Sequence, residues 1–121
     1  MIPKKILVVE DEQDVLRLTA YRLKKSGYEV LTAIDGQKAL NLLQENIPDL
    51  IILDLLLPAI HGYEVCKRIK SDTKLKNIPV ILFTASVLDV ERKVKELGVD
   101  DFIMKPFELE ILLEKVKKLI G

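Results

Sequence analysis

Hydrophobic and polar positions along this chain follow two alternating patterns. Short runs of large apolar residues are typical of buried strands. Each is followed by a stretch whose apolar residues recur every three or four positions, as on one face of a helix. Predicted strands cover residues 6–9, 28–33, 50–54, 79–84 and 101–104, and predicted helices cover 14–25, 37–45, 63–71, 87–97 and 109–120. Five strand–helix units joined by short connectors predict an α/β domain.

The most apolar run, residues 50–53 before Asp54, predicts the centre of the sheet. Strands that alternate with helices form a parallel sheet, with right-handed crossovers and helices on both faces. The first, third and fourth strands are the most apolar, so we expect them to be central. The predicted fold is therefore a doubly wound, flavodoxin-like sheet of order 2-1-3-4-5, with its switch point between the first and third strands.

Polar residues follow the predicted strands at the edge where ligands bind in open α/β sheets. Glu10 and Asp11 follow the first strand, Asp54 ends the third, Thr84 ends the fourth and Lys105 follows the fifth. Three carboxylates in one crevice repel each other and should not all stay ionised unaided. A hard divalent cation such as Mg²⁺ resolves this repulsion. With a lysine and a hydroxyl beside it, the set suits phosphoryl chemistry in which an Asp is the nucleophile.

Length and composition restrict the remaining function classes. The 121 residues predict one domain, 1–121, and its 19 basic and 19 acidic side chains give no global field for nucleic acid or membrane. Cys66 is the lone cysteine, which excludes a disulfide framework or a cysteine zinc cluster. The longest apolar run, 50–57, contains Asp54 and is far shorter than a membrane span. We therefore expect a soluble, cytoplasmic domain.

Taken together and in order, four motifs at the strand ends resemble those of a known family. The motifs are Val8-Val9-Glu10-Asp11-Glu12, Leu53-Asp54-Leu55-Leu56-Leu57-Pro58, Thr84-Ala85 and Met104-Lys105-Pro106-Phe107. With them, the chain resembles the receiver domain of two-component response regulators over essentially its whole length.

The resemblance implies a signalling switch rather than an enzyme acting on a separate substrate. Asp54 would accept a phosphoryl group from the phosphohistidine of a sensor histidine kinase, with self-catalysed phosphotransfer and autodephosphorylation. Thr84 and Lys105 would contact the phosphoryl oxygens, and Phe102 would occupy the switch aromatic position. A downstream effector or output domain would then read the switched surface.

The resemblance also implies a Mg²⁺ site built on the same strand ends. Asp11 would bind the metal directly together with Asp54, and Glu10 would bind it largely through water. The backbone carbonyl of Leu56 would be a further ligand.

Three positions depart from the family pattern. Glu10 stands where Asp is common, and its longer arm is expected to reach the waters of the metal. Phe102 replaces the frequent Tyr, so no ring hydroxyl is present for a hydrogen bond during switching. His61 stands where an acid is common, which removes a contact that would order its loop.

Several other residues are expected to be structural. We expect His61 to be an exposed loop residue and Cys66 to be a small buried apolar group. Phe107 is expected to be a core aromatic, and the run Lys115, Lys117 and Lys118 to be the solvated face of the last helix.

Two other functions use a related fold or chemistry. A haloacid-dehalogenase-like phosphatase needs a second acid two residues after the nucleophile, where this chain has Leu56. A flavodoxin-like FMN carrier needs a hydroxyl- and glycine-rich first loop to hold phosphate. This chain instead has acids at residues 10–12 and 14, which would repel an unpaired phosphate. Flavin absorbance of the purified protein discriminates the second alternative.

Overall fold

The structure, a computed structural model, describes residues 2–55, 57, 61–84 and 90–121, without the side chains of Val90 and Glu91. The part of the chain that is described forms five strand–helix units. The strands are β1 (Lys5–Val9), β2 (Glu29–Ala33), β3 (Leu50–Asp54), β4 (Val80–Thr84) and β5 (Asp101–Met104). The helices are α1 (Gln13–Lys25), α2 (Gly36–Glu45), α3 (Gly62–Ser71), α4 (Val90–Leu97) and α5 (Leu109–Ile120).

The strands form one parallel sheet in the order β2-β1-β3-β4-β5, which confirms the predicted topology. All five residues of β3 and all five of β4 are buried, as expected of strands covered by helices on both faces. The last two residues of β3 pair with Leu82 and Phe83 of β4. This register brings the carboxyl ends of the central strands to one edge of the sheet.

Helices cover both faces of the sheet and form two hydrophobic cores. Alternate strand residues point to opposite faces, so the same strands supply both cores. On one face, α1 and α5 pack through Leu16, Leu23, Leu112 and Val116. On the other face, the core includes side chains of α2, α3 and α4: Ala39, Leu43, Val65, Cys66, Ile69 and Leu97. The sheet is therefore held rigidly on both sides, and so are the strand ends that carry the polar residues.

Several predicted element boundaries differ from the observed ones. Asp14 was expected to begin α1, but the N-cap position is Glu12, and Asp14 lies in the first turn. Tyr28 is buried just before β2 begins at Glu29. The helical pattern predicts that Tyr63 lies on the same side of its helix as Cys66, but Tyr63 is 40% exposed and Val65 is buried with Cys66 instead. The predicted start of the fourth helix at Val87 lies outside the described residues.

No helix within the described residues is both long enough and apolar enough to cross a membrane.

Candidate functional site

Backbone hydrogen bonds hold the residues that follow β1 and β5 in place. The amide of Glu10 donates to the carbonyl of Ala33 at 3.0 Å, which extends the pairing of β1 with β2. The amide of Lys105 donates to the carbonyl of Thr84 at 2.8 Å, which extends the pairing of β4 with β5. Residues just past the strands are thus held almost as firmly as those within them.

Three carboxylates converge at this edge, and we name Glu10, Asp11 and Asp54 the acid cluster. One oxygen from each lies within 4.8 Å of the oxygens of the other two. Glu10 is fully buried and Asp54 is buried, whereas Asp11 is exposed. Solvent therefore reaches the cluster from the side of Asp11.

Lys105 supplies a positive charge to the acid cluster. Its Nζ donates to Oδ2 of Asp54 at 2.9 Å and forms an ion pair with Glu10. The same Nζ lies 5.8 Å from the ring centroid of Phe83, which shields the ammonium on its apolar side. The side chain of Lys105 is only 15% exposed, so these ion pairs are screened little by solvent. The peptide bond between Lys105 and Pro106 is cis.

The pKa values of Glu10 and Lys105 reflect their burial and their contacts at the acid cluster. Burial and, to a smaller extent, the hydrogen bond with Asp54 together raise the pKa of Glu10 to about 7, against the opposing effect of Lys105. Burial alone would lower the pKa of Lys105, but the contacts with Glu10 and Asp54 outweigh burial and raise it. Without a further cation, Glu10 therefore holds a proton more tightly than an ordinary carboxyl.

We expect the free energy of unfolding of the metal-free protein to fall as pH rises from 4.5 to 7. The folded state binds the Glu10 proton more tightly than the unfolded state, whose pKa is 4.5. The stabilisation that comes from this tighter proton binding is fully present below pH 4.5 and is lost as pH rises through about 7. The difference between the unfolded and folded pKa values of Glu10 corresponds to roughly 3 kcal/mol of stability.

Urea unfolding in EDTA at several pH values measures this dependence. Glu10→Gln keeps the shape of the side chain but carries no titrating proton, so its stability should fall less over the same pH range. Equal pH slopes for the two proteins would contradict the expectation.

The remaining predicted site residues lie in different surroundings. Thr84 is buried at the end of β4, next to β3. Phe102 is partly buried on β5 and packs against the core formed with α2, α3 and α4. Leu56, the expected carbonyl ligand, lies outside the described residues, as does Ala85. His61 is exposed, as expected, and occupies the N-cap position of α3.

The expectations for the other residues are mostly confirmed. Cys66 is fully buried, and burial raises the pKa of its thiol to about 11. Phe107 stacks on Phe83 with ring centroids 4.8 Å apart, as expected of a core aromatic. The expectation for Lys115 was wrong: its Nζ contacts both carboxylate oxygens of Asp101 at 3.0 Å and ties α5 to β5.

Sequence reasoning missed Glu12. Its Oε1 lies 3.6 Å from Nζ of Lys105, so this lysine faces three carboxylates that it can neutralise only in part. The side chain of Glu12 is 64% exposed, at the mouth of the acid cluster. The available signal was the uninterrupted acidic run of residues 10–12 after β1.

The donor set of the acid cluster fits Mg²⁺. This ion prefers oxygen ligands at about 2.0–2.1 Å and is usually bound through one or two carboxylates together with waters. Three carboxylate oxygens within 4.8 Å of each other are close enough to share such an ion after small side-chain movements. Burial and the neighbouring Asp54 both raise the pKa of Glu10, so a cation at the acid cluster would favour the ionised form of this carboxyl.

Comparison with known sequences identifies the family. The sequence model of the family described as response regulator receiver domain matches residues 6–117. The alkaline phosphatase synthesis transcriptional regulatory protein PhoP of Bacillus subtilis (strain 168) is 40% identical over 118 residues, which cover 97% of this chain and 48% of PhoP. The probable transcriptional regulator ycf27 of Guillardia theta is 38% identical over 119 residues, 97% of this chain and 45% of ycf27. The chain thus spans about half the length of these curated relatives.

Solved structures agree with the sequence comparison. The chemotaxis response regulator CheY4 of Vibrio cholerae is 29% identical with a TM-score of 0.92, over 98% of this chain and 100% of that one. The response regulator TrrA of Thermotoga maritima, in complex with Mg²⁺–BeF, is 36% identical with a TM-score of 0.86, over 97% and 99% of the two chains. The chain therefore belongs to the response regulator receiver domain family of two-component signalling.

Proposed function

We propose that this receiver domain accepts a phosphoryl group on Asp54 from the phosphohistidine of a sensor histidine kinase, in a Mg²⁺-dependent reaction. The observation that carries the proposal is the position of Asp54, a buried carboxylate at the end of β3 between Lys105 and two further acids. A buried carboxylate held by a cation at this edge of the sheet has the geometry of a charge-stabilised nucleophile.

The reaction uses the groups at the strand ends as follows. A carboxylate oxygen of Asp54 forms the new bond to phosphorus while the bond from phosphorus to the histidine nitrogen breaks. The histidine nitrogen keeps the electron pair and takes a proton from solvent. Lys105, already hydrogen-bonded to Asp54, stabilises negative charge on the phosphoryl oxygens, and the Thr84 hydroxyl is proposed to donate to one of them.

The metal is assigned to the acid cluster. Asp11 and Asp54 would bind Mg²⁺ directly and Glu10 would bind it largely through water, with the carbonyl of Leu56 as the proposed fourth contribution. When bound, the ion neutralises phosphoryl oxygens and the repulsion among the acids. The complex of TrrA with Mg²⁺–BeF supports this assignment by similarity.

The kinase is proposed to dock beside the cavity next to Lys105. This cavity of about 490 Å³ lies between α1 and the segment after β5, and Val15, Thr19 and Phe107 contribute to its lining. Leu18, which also lines the cavity, and Tyr21 further along α1 are 60% and 59% exposed. Exposed apolar side chains at a cavity that Lys105 lines suit a protein donor, which needs contact area as well as chemistry.

Phosphorylation is proposed to switch the surface of α4, β5 and α5. Movement of the Thr84 hydroxyl toward the phosphoryl group would leave space that the ring of Phe102 fills, which biases a two-state surface. The domain is proposed to lose the group by its own hydrolysis and to act in the cytoplasm. A downstream effector or output domain would read the switched surface. We propose that this segment does not contact nucleic acid directly, because its 19 basic and 19 acidic side chains balance.

Labelling with acetyl phosphate tests the proposal. With Mg²⁺ present, we expect intact-mass measurement to show one added phosphoryl group, located by peptide mapping in the β3 segment, and none after EDTA treatment. Asp11→Ala should lose most Mg²⁺ affinity and most labelling. Its metal-free stability should stay equal or rise, because one repelling carboxylate is removed.

Glu29→Ala is the matched control, because it removes an exposed acid from the amino end of β2, at the opposite edge of the sheet. It should bind Mg²⁺ and be labelled like the wild type. Labelling that persists without a divalent cation, or normal Mg²⁺ titration of Asp11→Ala, would refute the proposed metal site. Phosphotransfer from a panel of histidine kinases then identifies the physiological donor.

A further inference from the structure

The first residue of α3 packs directly against the end of the strand that carries Asp54. Gly62 is buried, and its amide donates to the carbonyl of Leu55 at 3.1 Å. Its backbone is helical, unlike that of Gly27 and Gly98, which have positive φ angles of 98° and 68°. Backbone conformation therefore does not require a glycine at position 62, and the reason has to be space.

A side chain at position 62 has no room. A Cβ built there overlaps the backbone oxygen of Asp54 and lies 2.6 Å from Cα of Leu55 and 2.9 Å from the carbonyl carbon of Asp54. Real Cβ atoms essentially never approach other atoms closer than 3.0 Å. All three obstructing atoms belong to the main chain, so no side-chain rotation relieves the overlap.

The obstructing segment is itself held on its far side. The amide of Leu55 donates to the carbonyl of Phe83 at 3.2 Å, and Asp54 pairs with Phe83 across β3 and β4. Behind Gly62, Val65, Cys66 and Ile69 anchor α3 in the core. An added methyl group must therefore displace the start of α3, the end of β3 or both.

We propose that Gly62 is a positioning residue for phosphotransfer: the lack of a side chain lets α3 seat on the main chain of Asp54 and Leu55. This contact sets the direction in which the Asp54 carboxylate leaves the strand. The inference rests on the proposed role of Asp54 as the acceptor. The tolerance is small, because Oδ2 of Asp54 lies 2.9 Å from Nζ of Lys105 and shares the acid cluster with two other carboxylates. A displacement of about 1 Å at a reacting group is enough to cost about 100-fold in rate.

Gly62→Ala tests the proposal, with Gly98→Ala as the matched control. Gly98 has a positive φ, so alanine there is also destabilising, but a Cβ at that position meets nothing within 4 Å. Gly98 lies before the amino end of β5, whereas the acid cluster lies at the carboxyl ends of the strands. Both variants should have a lower Tm, which separates loss of stability from loss of position.

Phosphorylation by acetyl phosphate and Mg²⁺ is followed at increasing donor concentration. For Gly62→Ala we expect the maximal labelling rate to fall by about 10- to 100-fold. The half-saturating donor concentration should change little. Gly98→Ala should label at the wild-type rate. In the metal-free protein, amide NMR shifts of Asp54, Leu55 and Phe83 should move in Gly62→Ala and stay in place in Gly98→Ala.

A folded Gly62→Ala that labels at the wild-type rate would overturn the inference and leave the proposed function intact. If wild-type protein is not labelled at all, the proposed function fails instead. Should Gly62→Ala not fold in buffer, all three proteins are measured in trimethylamine N-oxide, which favours the compact state. A variant that stays unfolded there while Gly98→Ala folds would assign Gly62 to folding alone and overturn the positioning role.

Discussion

Asp54→Asn should abolish phosphorylation while leaving a folded protein. The amide has nearly the same shape as the carboxylate but has no anionic oxygen to attack phosphorus. Lys105 keeps its ion pair with Glu10, so the site retains a paired charge. We expect the free energy of unfolding to change by about 1 kcal/mol or less, because lost attraction to Lys105 offsets lost repulsion from Glu10. Intact-mass measurement after incubation with acetyl phosphate and Mg²⁺ measures the loss of labelling.

The same variant has a second expected result. Hydrogen bonding and charge from Asp54 contribute to the raised pKa of Glu10, so that pKa should fall toward its usual range in Asp54→Asn. Asp14→Asn is the control, because it removes an equal charge from an exposed side chain in the first turn of α1. It should be labelled like the wild type. A phosphoryl group found on Asp54→Asn would show that another residue is the acceptor.

The sheet topology could be predicted because the apolar content of each strand reflects its place in the sheet. β3 is apolar at four of its five positions and is buried at all five, which is possible only in the middle of a sheet covered on both faces. In β2, by contrast, Glu29 and Thr32 are exposed, as expected of an edge strand. Once the order of the strands is known, the meeting of their carboxyl ends follows from parallel pairing.

Contacts between distant side chains could not be predicted in the same way. The sequence places Glu10 and Lys105 at the same edge but does not show that Glu10 is fully buried, nor that it shares the lysine with Asp54. The pairing of Lys115 with Asp101 depends on how α5 lies against β5. A helical pattern indicates which face is polar, but it does not show which polar residue finds a partner.

The N-cap residue of α1 was not predicted, because several acids compete for that position. Residues 10, 11, 12 and 14 are all acidic, and each suits the first turn of a helix electrostatically. In the structure Glu12 occupies the N-cap position without a side-chain cap, while its carboxylate lies near Lys105. The position of the Glu12 carboxylate is thus set by the charge of Lys105 as much as by the start of the helix.

The charge balance of the acid cluster depends on Lys105, because the ammonium of Lys105 bridges two buried acids, Glu10 and Asp54. The metal-free protein keeps these carboxylates together with the ammonium and with a proton that Glu10 holds up to about pH 7. A bound divalent cation would also offset the negative charge of the acid cluster. Replacing Lys105 should therefore lower the free energy of unfolding more in the metal-free protein than in the Mg²⁺-bound protein.

Lys105→Met should lower the free energy of unfolding of the metal-free protein at neutral pH by about 3 kcal/mol. Removing one partner of a buried ion pair typically costs 3–5 kcal/mol, and protonation of Glu10 moderates the loss. The loss should be smaller at pH 5, where Glu10 is already neutral. Labelling by acetyl phosphate should fall by about 100-fold or more, because the charge that stabilises the phosphoryl oxygens is gone. Urea unfolding and intact-mass kinetics measure the two effects.

Magnesium separates a role in the acid cluster from a general structural role. A ligand that binds the folded state stabilises it according to its concentration and affinity, so Mg²⁺ should recover more stability in Lys105→Met than in the wild type. Lys115→Met is the matched control, because it removes the same group from the half-buried pair with Asp101, away from the acid cluster. That pair is partly exposed, so its loss should cost about 1 kcal/mol or less. Added Mg²⁺ should not recover this lost stability in Lys115→Met. If Mg²⁺ raised the free energy of unfolding equally in the two variants, Lys105 and the metal would not both be offsetting the charge of the acid cluster.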